Sequence, residues 1–308
     1  MRDFFGINIK SYLNRPNEIR ELLADYLNVG SLGIILGSGA SNGFELPTWH
    51  ELVKDLVVEA DLNLKIRKNE SSAVLKEHVE EISTKLSSKY LDTVYECLYK
   101  KAAFDFSTAN KDLLIAISAL CTGSNRGSVK TVFTYNFDSV LEWYLGIIGL
   151  KVSVYQPSNM LDRFCDVETI HFHGYLPHSS LNHDRTDFIV FSKSEFEEKE
   201  WKRKPLERKR ASFFLNKLFL SIGVSLDTLD GDVRPRLKQL MGEDYRDLKR
   251  NSPFGIAIIG VKKMSGDEAT KYESKINRLM DSGVIPVFLE FSQIPKYLFS
   301  IVQKALQV

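Results

Sequence analysis

The sequence predicts an α/β fold, with a Rossmann-like, mostly parallel sheet, helices on both faces and a helical insertion. Short, nearly continuous apolar runs bounded by turn residues recur along the chain, and such runs are typical of strands in a sheet covered on both faces. Apolar residues at helical spacing occupy the stretches between them. No internal repeat, low-complexity tract or Pro/Gly-rich linker divides the 308 residues, so we expect a single domain over residues 1–308.

The strands are predicted from the apolar runs in chain order. They are expected at residues 31–36, 131–135, 152–155, 169–173, 218–224, 255–260 and 284–289. The first two are far apart in sequence, and most of the intervening stretch has helical spacing. We therefore expect a helical insertion over residues 50–125.

Two helix starts carry a capping-box pattern, in which a Ser or Thr is followed three residues later by Glu. Thr48 and Glu51 predict the start of a helix that includes Trp49. Ser194 and Glu197 predict the start of a long charged helix.

Composition excludes several classes of function. The 41 basic and 40 acidic residues leave a net charge of +1, so no long-range field attracts nucleic acid or an anionic membrane, and a nucleic-acid partner would need a local patch. The apolar stretch Leu113–Cys121 is far shorter than the ~20 residues of a membrane helix. The N-terminus lacks the apolar core of a signal peptide, so we expect a cytoplasmic protein. The three cysteines form no C-x-x-C pair and are expected to be reduced thiols.

A loop of small residues follows the first predicted strand, where backbone amides can approach a phosphate group. It reads Gly37-Ser38-Gly39-Ala40-Ser41-Asn42-Gly43. Its G-x-G-x-x-x-G spacing differs from the dehydrogenase fingerprint, and the acidic residue that binds ribose in dehydrogenases is missing. The lysine of a P-loop is also absent. The alternative is a tight turn without a ligand.

Polar residues follow two other predicted strands. Asn136 and Asp138 come after the second strand, and ligands of open α/β sheets bind beyond the carboxyl ends of strands. The alternative is that both residues cap the next helix. His173 is expected to end the fourth strand with His171 on the same face, but no third ligand has suitable spacing, so we expect no metal site.

Five segments occur together in an order that resembles the SIR2-like family. They are Leu36-Gly37-Ser38-Gly39-Ala40-Ser41, Leu46-Pro47-Thr48-Trp49, Thr134-Tyr135-Asn136-Phe137-Asp138, His173-Gly174 and Ile222-Gly223-Val224-Ser225-Leu226-Asp227. The resemblance is greater to bacterial SIR2-like domains of antiphage systems, including the SIR2 domain of Thoeris effectors. It extends over roughly residues 30–290.

The resemblance implies a Rossmann-like domain that binds NAD+. Asn136 and His173 match the catalytic pair of the family, with Asp138 beside them. The positions that contact NAD+ match Gly37, Gly39, Ala40, Ser41, Gly223 and Ser225. We add Ser38, which replaces the usual alanine of the loop, and Trp49, expected either to cover the nicotinamide end of the pocket or to pack its helix onto the sheet.

The expected activity is hydrolysis of NAD+ to nicotinamide and ADP-ribose, with cyclic ADP-ribose as a possible product. Three cysteines cannot build the four-cysteine zinc module of sirtuin deacylases, so water is the favoured acceptor. The resemblance implies an NAD+-depleting effector of an antiphage, abortive-infection system. Such an enzyme needs a brake, and we expect activation by homo-oligomerisation, by a separately encoded sensor or activator protein, or by a nucleotide signal. The alternatives are a non-catalytic sensor of NAD+ or ADP-ribose and an NAD+-dependent protein deacylase.

Overall fold

A computed structural model gives the fold of the chain. It describes residues 15–67, 70–102, 110–123, 126–155, 164–179, 189–192, 194–195, 200–242, 253–261 and 266–307. Seven strands form one sheet: β1 (Leu32–Leu36), β2 (Thr131–Thr134), β3 (Val152–Val154), β4 (Val167–His171), β5 (Leu218–Ile222), β6 (Gly255–Val261) and β7 (Val284–Glu290).

Helices surround this sheet. They are α1 (Pro16–Asn28), α2 (Trp49–Glu59), α3 (Ser72–Leu86), α4 (Tyr90–Tyr99), α5 (Asp112–Cys121), α6 (Val140–Ile147), α7 (Glu200–Asn216), α8 (Arg234–Gly242), α9 (Gly266–Met280) and α10 (Ile294–Ala305). Apolar clusters lie on both faces of the sheet, one beneath α1, α2, α5 and α10 and the other beneath α7. The predicted α/β class with a covered sheet is therefore confirmed. Among these helices, none combines the length and apolar character that crossing a bilayer requires.

The strand order is β3-β4-β2-β1-β5-β6-β7, and every neighbouring pair is parallel. After β1 the chain builds one side of the sheet with β2, β3 and β4, and then crosses to the other side of β1 with β5. The connections therefore change direction between β1 and β5. In open parallel sheets this switch point, at the carboxyl ends of the strands, is the usual position of a ligand crevice.

The fourth strand lies two residues earlier than predicted. Strand β4 ends at His171, which is in register with Thr134, the last residue of β2. His173 lies in the turn that follows, and Gly174 has a φ of +104°. The expectation that His171 and His173 share one face of a strand is wrong, because β4 has no partner strand to pair with beyond Thr134.

The long connection between β1 and β2 contains α2, α3, α4 and α5. Helix α2 begins with the predicted capping box: the Glu51 N–H donates to Thr48 Oγ1 at 3.4 Å, and the Thr48 N–H donates to Glu51 Oε2 at 2.8 Å. For the second predicted box, Glu197 lies outside the described residues. Reciprocal bonds instead join Ser192 and Glu195, two residues earlier.

Candidate functional site

The loops that follow β1 and β5 touch each other, backbone to backbone, at the switch point. The N–H of Gly37 donates to Ile222 O at 3.1 Å, and the N–H of Gly39 donates to Gly223 O at 3.1 Å. A Cβ added to Gly37 would lie 2.5 Å from Gly223 O, and one added to Gly223, whose φ is +68°, would lie 2.5 Å from Ala40 N. The close approach of the two loops therefore requires glycine on both sides.

Most amides of the glycine loop are already engaged within the protein. In addition to Gly37 and Gly39, the N–H of Ala40 donates to Gly37 O at 2.9 Å, and the N–H of Ser41 donates to Ser38 O at 3.1 Å. These bonds wind the loop into a tight helical turn. A tight turn was the alternative to a phosphate-binding loop in the sequence analysis. Gly39 is exposed and Ser38 is half-buried, so the outer edge of this turn is the part that faces solvent.

The turn places Ser41 against the polar residues that follow β2. Ser41 Oγ donates to Asp138, with 3.0 Å to each carboxylate oxygen, and accepts a hydrogen bond from Asn136 Nδ2 at 3.1 Å. All three side chains are buried, with 5%, 9% and 7% exposure for Ser41, Asn136 and Asp138. The fold thus joins two predicted site segments, which are separated by almost a hundred residues, into one buried polar cluster.

The direction of these bonds sets the orientation of the Asn136 amide. A serine hydroxyl has one hydrogen, and here it points to the Asp138 carboxylate. The Ser41 oxygen must therefore accept from Asn136, which turns Nδ2 towards Ser41 and Oδ1 away from it. In the described part of the chain, no group donates a hydrogen bond to Asn136 Oδ1.

Asp138 also contacts the start of α6. Its Oδ1 accepts a hydrogen bond from the Val140 N–H at 3.1 Å. Asp138 therefore contacts both Ser41 and the first N–H of α6, in line with the alternative that it caps this helix. Burial raises the pKa of Asp138 to about 6, although the hydrogen bonds from Val140 and Ser41 oppose this rise. The carboxyl group therefore changes charge close to neutral pH.

A buried His171–Glu142 pair lies next to this cluster, and its role was not predicted. His171 Nδ1 donates to the backbone oxygen of Asn136 at 2.8 Å, and His171 Nε2 lies 2.8 Å from Glu142 Oε1. Burial alone would raise the pKa of Glu142, but His171 lowers it below the ordinary value. One signal was available in the sequence, since Glu142 is an acidic residue within the otherwise apolar stretch of α6.

These side chains line a small pocket beside the glycine loop. Its walls are formed by Leu36, Ala40, Ser41, Leu114, Thr134, Asn136, Asp138, Leu141, Glu142 and His171. Leu114 belongs to α5, so the stretch between β1 and β2 contributes to the pocket. His173 is not part of this wall.

His173 lies instead against the aromatic residues on either side of Asn136. Its ring centroid is 5.6 Å from that of Tyr135 and 6.1 Å from that of Phe137. The His173 side chain is half-buried, because the turn after β4 takes it out of the sheet. The structure therefore brings Asn136 and His173 to neighbouring strand ends, with the His173 ring outside the Ser41 cluster.

The two remaining predicted residues have contacts of their own. Trp49 stacks on Phe191, with ring centroids 5.7 Å apart, and Phe191 stacks on Phe137 at 4.0 Å. Trp49 therefore packs α2 against the site through Phe191. Ser225 is exposed and accepts a hydrogen bond from the Thr228 N–H at 3.1 Å, which caps a short helical turn.

Two of the three cysteines occupy unreactive positions. Cys97 and Cys121 are buried, and burial raises their pKa values to about 11 and about 12. Within the described ranges, no group of three or more His, Cys, Asp or Glu side chains is arranged to hold a metal ion.

A comparison with protein families finds a match to part of the chain. Residues 130–276 match the model of a SIR2-like domain. This match supports the SIR2-like family and includes Asn136, Asp138, His173, Gly223 and Ser225, whereas the glycine loop precedes it. SIR2-like domains use NAD+, so the match indicates an NAD+-related activity. No curated protein matches the chain.

Proposed function

We propose that this protein is an NAD+ glycohydrolase, which cleaves the bond between nicotinamide and ribose to give nicotinamide and ADP-ribose. The observation that carries the proposal is the fixed amide of Asn136. Ser41 and Asp138 hold it at the carboxyl end of β2, one strand from the switch point. The SIR2-like match over this region supports NAD+ as the substrate.

The loops at the switch point have the features that a dinucleotide needs. Gly39 and Ser225 are exposed, and Ser38 is half-buried, so small residues with polar groups face solvent where the two loops meet. In the proposal, these residues and Gly223 contact the nucleotide from the outer edge of the turn. Gly37, Ala40 and Ser41 act from beneath it, by setting its shape through their backbone bonds.

The chemistry requires little acid catalysis. Nicotinamide leaves with the electron pair of the bond to ribose and needs no proton, because its ring nitrogen is positively charged in NAD+. The oxygen of water forms the new bond to the anomeric carbon, and the imidazole of His173 accepts the proton released by that water. Asn136 Oδ1 orients the water or a ribose hydroxyl. The negative charge of Asp138 offsets the positive charge that develops on the sugar.

We further propose that the protein acts in the cytoplasm as the NAD+-depleting effector of an antiphage system. The resemblance of the five segments to antiphage SIR2-like domains supports this role. An NAD+-consuming enzyme needs a brake in its host, so the proposal includes activation by homo-oligomerisation or by a separately encoded partner. Protein deacylation is disfavoured, because three cysteines cannot build the four-cysteine zinc module of sirtuin deacylases.

The test is release of nicotinamide from NAD+ by the purified protein, with and without an acylated peptide, followed by chromatography. NAD+ is also quantified in phage-infected cells that produce the chain. We expect Asn136→Ala and His173→Ala to reduce the rate by about 100-fold or more, because orientation and proton transfer are lost. The exposed Asn216→Ala is the matched control.

Three outcomes contradict the proposal. Turnover that requires the acylated peptide indicates a deacylase. Binding of NAD+ without turnover, in the purified protein and in infected cells alike, indicates a sensor. An Asn136→Ala variant with the rate of the parent removes the proposed role of the amide.

A further inference from the structure

We propose that His171 and Glu142 are positioning residues, which hold the backbone of Asn136 and thereby its amide. The inference rests on the proposed function, in which Asn136 orients water or a ribose hydroxyl. Both side chains are only 1% exposed, and the polar contacts of His171 join it to the Asn136 carbonyl and to Glu142. Their effect on the reaction therefore passes through Asn136.

The backbone of Asn136 lies at the point where the sheet no longer holds the chain. The last regular bonds around the end of β2 join the Tyr135 N–H to Leu36 O and the Phe172 N–H to Thr134 O. At Asn136, side chains rather than neighbouring strands provide the hydrogen-bond partners of the backbone. The Asn136 N–H donates to Thr134 Oγ1 at 3.0 Å, and the Asn136 carbonyl accepts from His171 Nδ1 at 2.8 Å.

The hydrogen bonds also determine where the protons of His171 lie. A backbone carbonyl can only accept, so Nδ1 must carry a hydrogen. Nε2 faces Glu142 Oε1 at 2.8 Å, and an ionised Glu142 is likewise an acceptor. The contact between Nε2 and Glu142 restrains the ring so that the Nδ1–H points at the Asn136 carbonyl.

Tyr175 packs against the His171 ring. The ring centroids of Tyr175 and His171 are 4.4 Å apart, and Tyr175 is fully buried. A buried ion pair of this kind is often no more stabilising than apolar residues of similar volume. Its value here is therefore geometric, because it holds an N–H donor of restricted ring orientation at the carbonyl of Asn136.

A pair of double variants separates this role from a contribution to stability. His171→Leu with Glu142→Leu removes the ion pair and the donor. His171→Asn with Glu142→Leu also removes the ion pair, but keeps an N–H close to the position of Nδ1. We expect the first to lower kcat by about 10-fold to 100-fold with little change in KM, and the second to recover most of that loss.

Equal kcat values in the two double variants, at equal thermal stability, would overturn the inference. A second readout does not depend on activity. Nitrogen NMR of the parent protein should show a protonated Nδ1 of His171, with a signal that is missing from the single variant His171→Asn, and an unprotonated Nδ1 would also overturn the inference. If the parent does not turn over NAD+ while the NMR result holds, the proposed function fails and the hydrogen-bonding arrangement stands.

Discussion

At the scale of single residues, one carboxylate determines which way the Asn136 amide faces. Asp138 accepts the only hydrogen of the Ser41 hydroxyl, and this leaves Ser41 as the acceptor for Asn136 Nδ2. If Asp138 gains a proton, the hydroxyl of Ser41 no longer has to point towards it. The side-chain amide of Asn136 can then turn so that Oδ1 instead of Nδ2 faces Ser41. The charge of Asp138 and the orientation of Asn136 are therefore linked.

This link predicts a pH dependence. Because burial raises the pKa of Asp138 from 3.8 to about 6, the ionised form, which orients the amide, is lost as the pH falls through about 6. We expect kcat for nicotinamide release to fall over the same range. Asp138→Asn should have a lower rate at pH 7 and a smaller step in the pH profile, because only proton uptake by the base His173 then remains. The exposed Asp25→Asn is the control and should keep the full step.

The raised pKa of Asp138 gives stability the opposite pH dependence to that of kcat. A folded-state pKa above the unfolded value means that the protein binds the proton more tightly when folded, so the contribution of Asp138 to stability is lost as the pH rises from about 4 to about 6. Urea denaturation of the parent and of Asp138→Asn across this range measures the difference. If the stability of Asp138→Asn falls over this pH range as much as that of the parent, another group is responsible.

At the scale of elements, the site depends on how closely two loops approach. The turn after β1 and the residue after β5 are in backbone contact, and four amides of the turn are bonded to carbonyls at the ends of β1 and β5. The contact holds Ser41 in reach of Asn136 and Asp138. A change in the spacing of the loops should therefore affect stability and activity together.

Gly223→Ala tests this spacing. The residue has a φ of +68°, and a Cβ would lie 2.5 Å from Ala40 N, so we expect a loss of about 1–3 kcal/mol in the free energy of unfolding. Gly146→Ala in α6 is the control, since a Cβ there meets no atom within 4 Å, and helix propensity favours alanine by roughly 1 kcal/mol. Denaturant midpoints measure both. Equal stability of the two variants would contradict the required close approach.

At the scale of the whole molecule, helices that are distant in sequence form one layer over the sheet. Helix α10, near the end of the described chain, packs against α1 from the start and against α5 from the stretch between β1 and β2. Leu298 and Ile301 of α10 are fully buried in this layer. Because α5 also contributes Leu114 to the pocket, the packing of α10 supports the site indirectly.

Leu298→Ala tests the contribution of this layer. Deletion of a fully buried leucine side chain leaves a cavity, and we expect a loss of about 2–5 kcal/mol in the free energy of unfolding. The neighbouring Phe299 is 36% exposed, so Phe299→Ala should cost less, although its side chain is larger. Urea denaturation followed by circular dichroism compares the two. A smaller loss for Leu298→Ala than for Phe299→Ala would contradict the proposed packing.

The sequence by itself determined the class of the fold and most of its elements. The strands are visible as apolar runs and the start of α2 as a capping box, because burial and capping depend on residues close together in the chain. The shift of β4 was not visible, since TIHFH is equally suited to a strand along its whole length. Only its pairing with β2, which ends at Thr134, decided where β4 stops.

The candidate site was likewise only partly predictable from the sequence. Asn136, Asp138 and the glycine loop were recognisable from their residue types and their positions after strands. The Ser41 hydrogen bonds, the orientation of the Asn136 amide and the His171–Glu142 pair were decided only by the tertiary structure. The groups involved are between 29 and 97 residues apart, and their meeting depends on the crossover connections of the sheet, which local patterns do not encode.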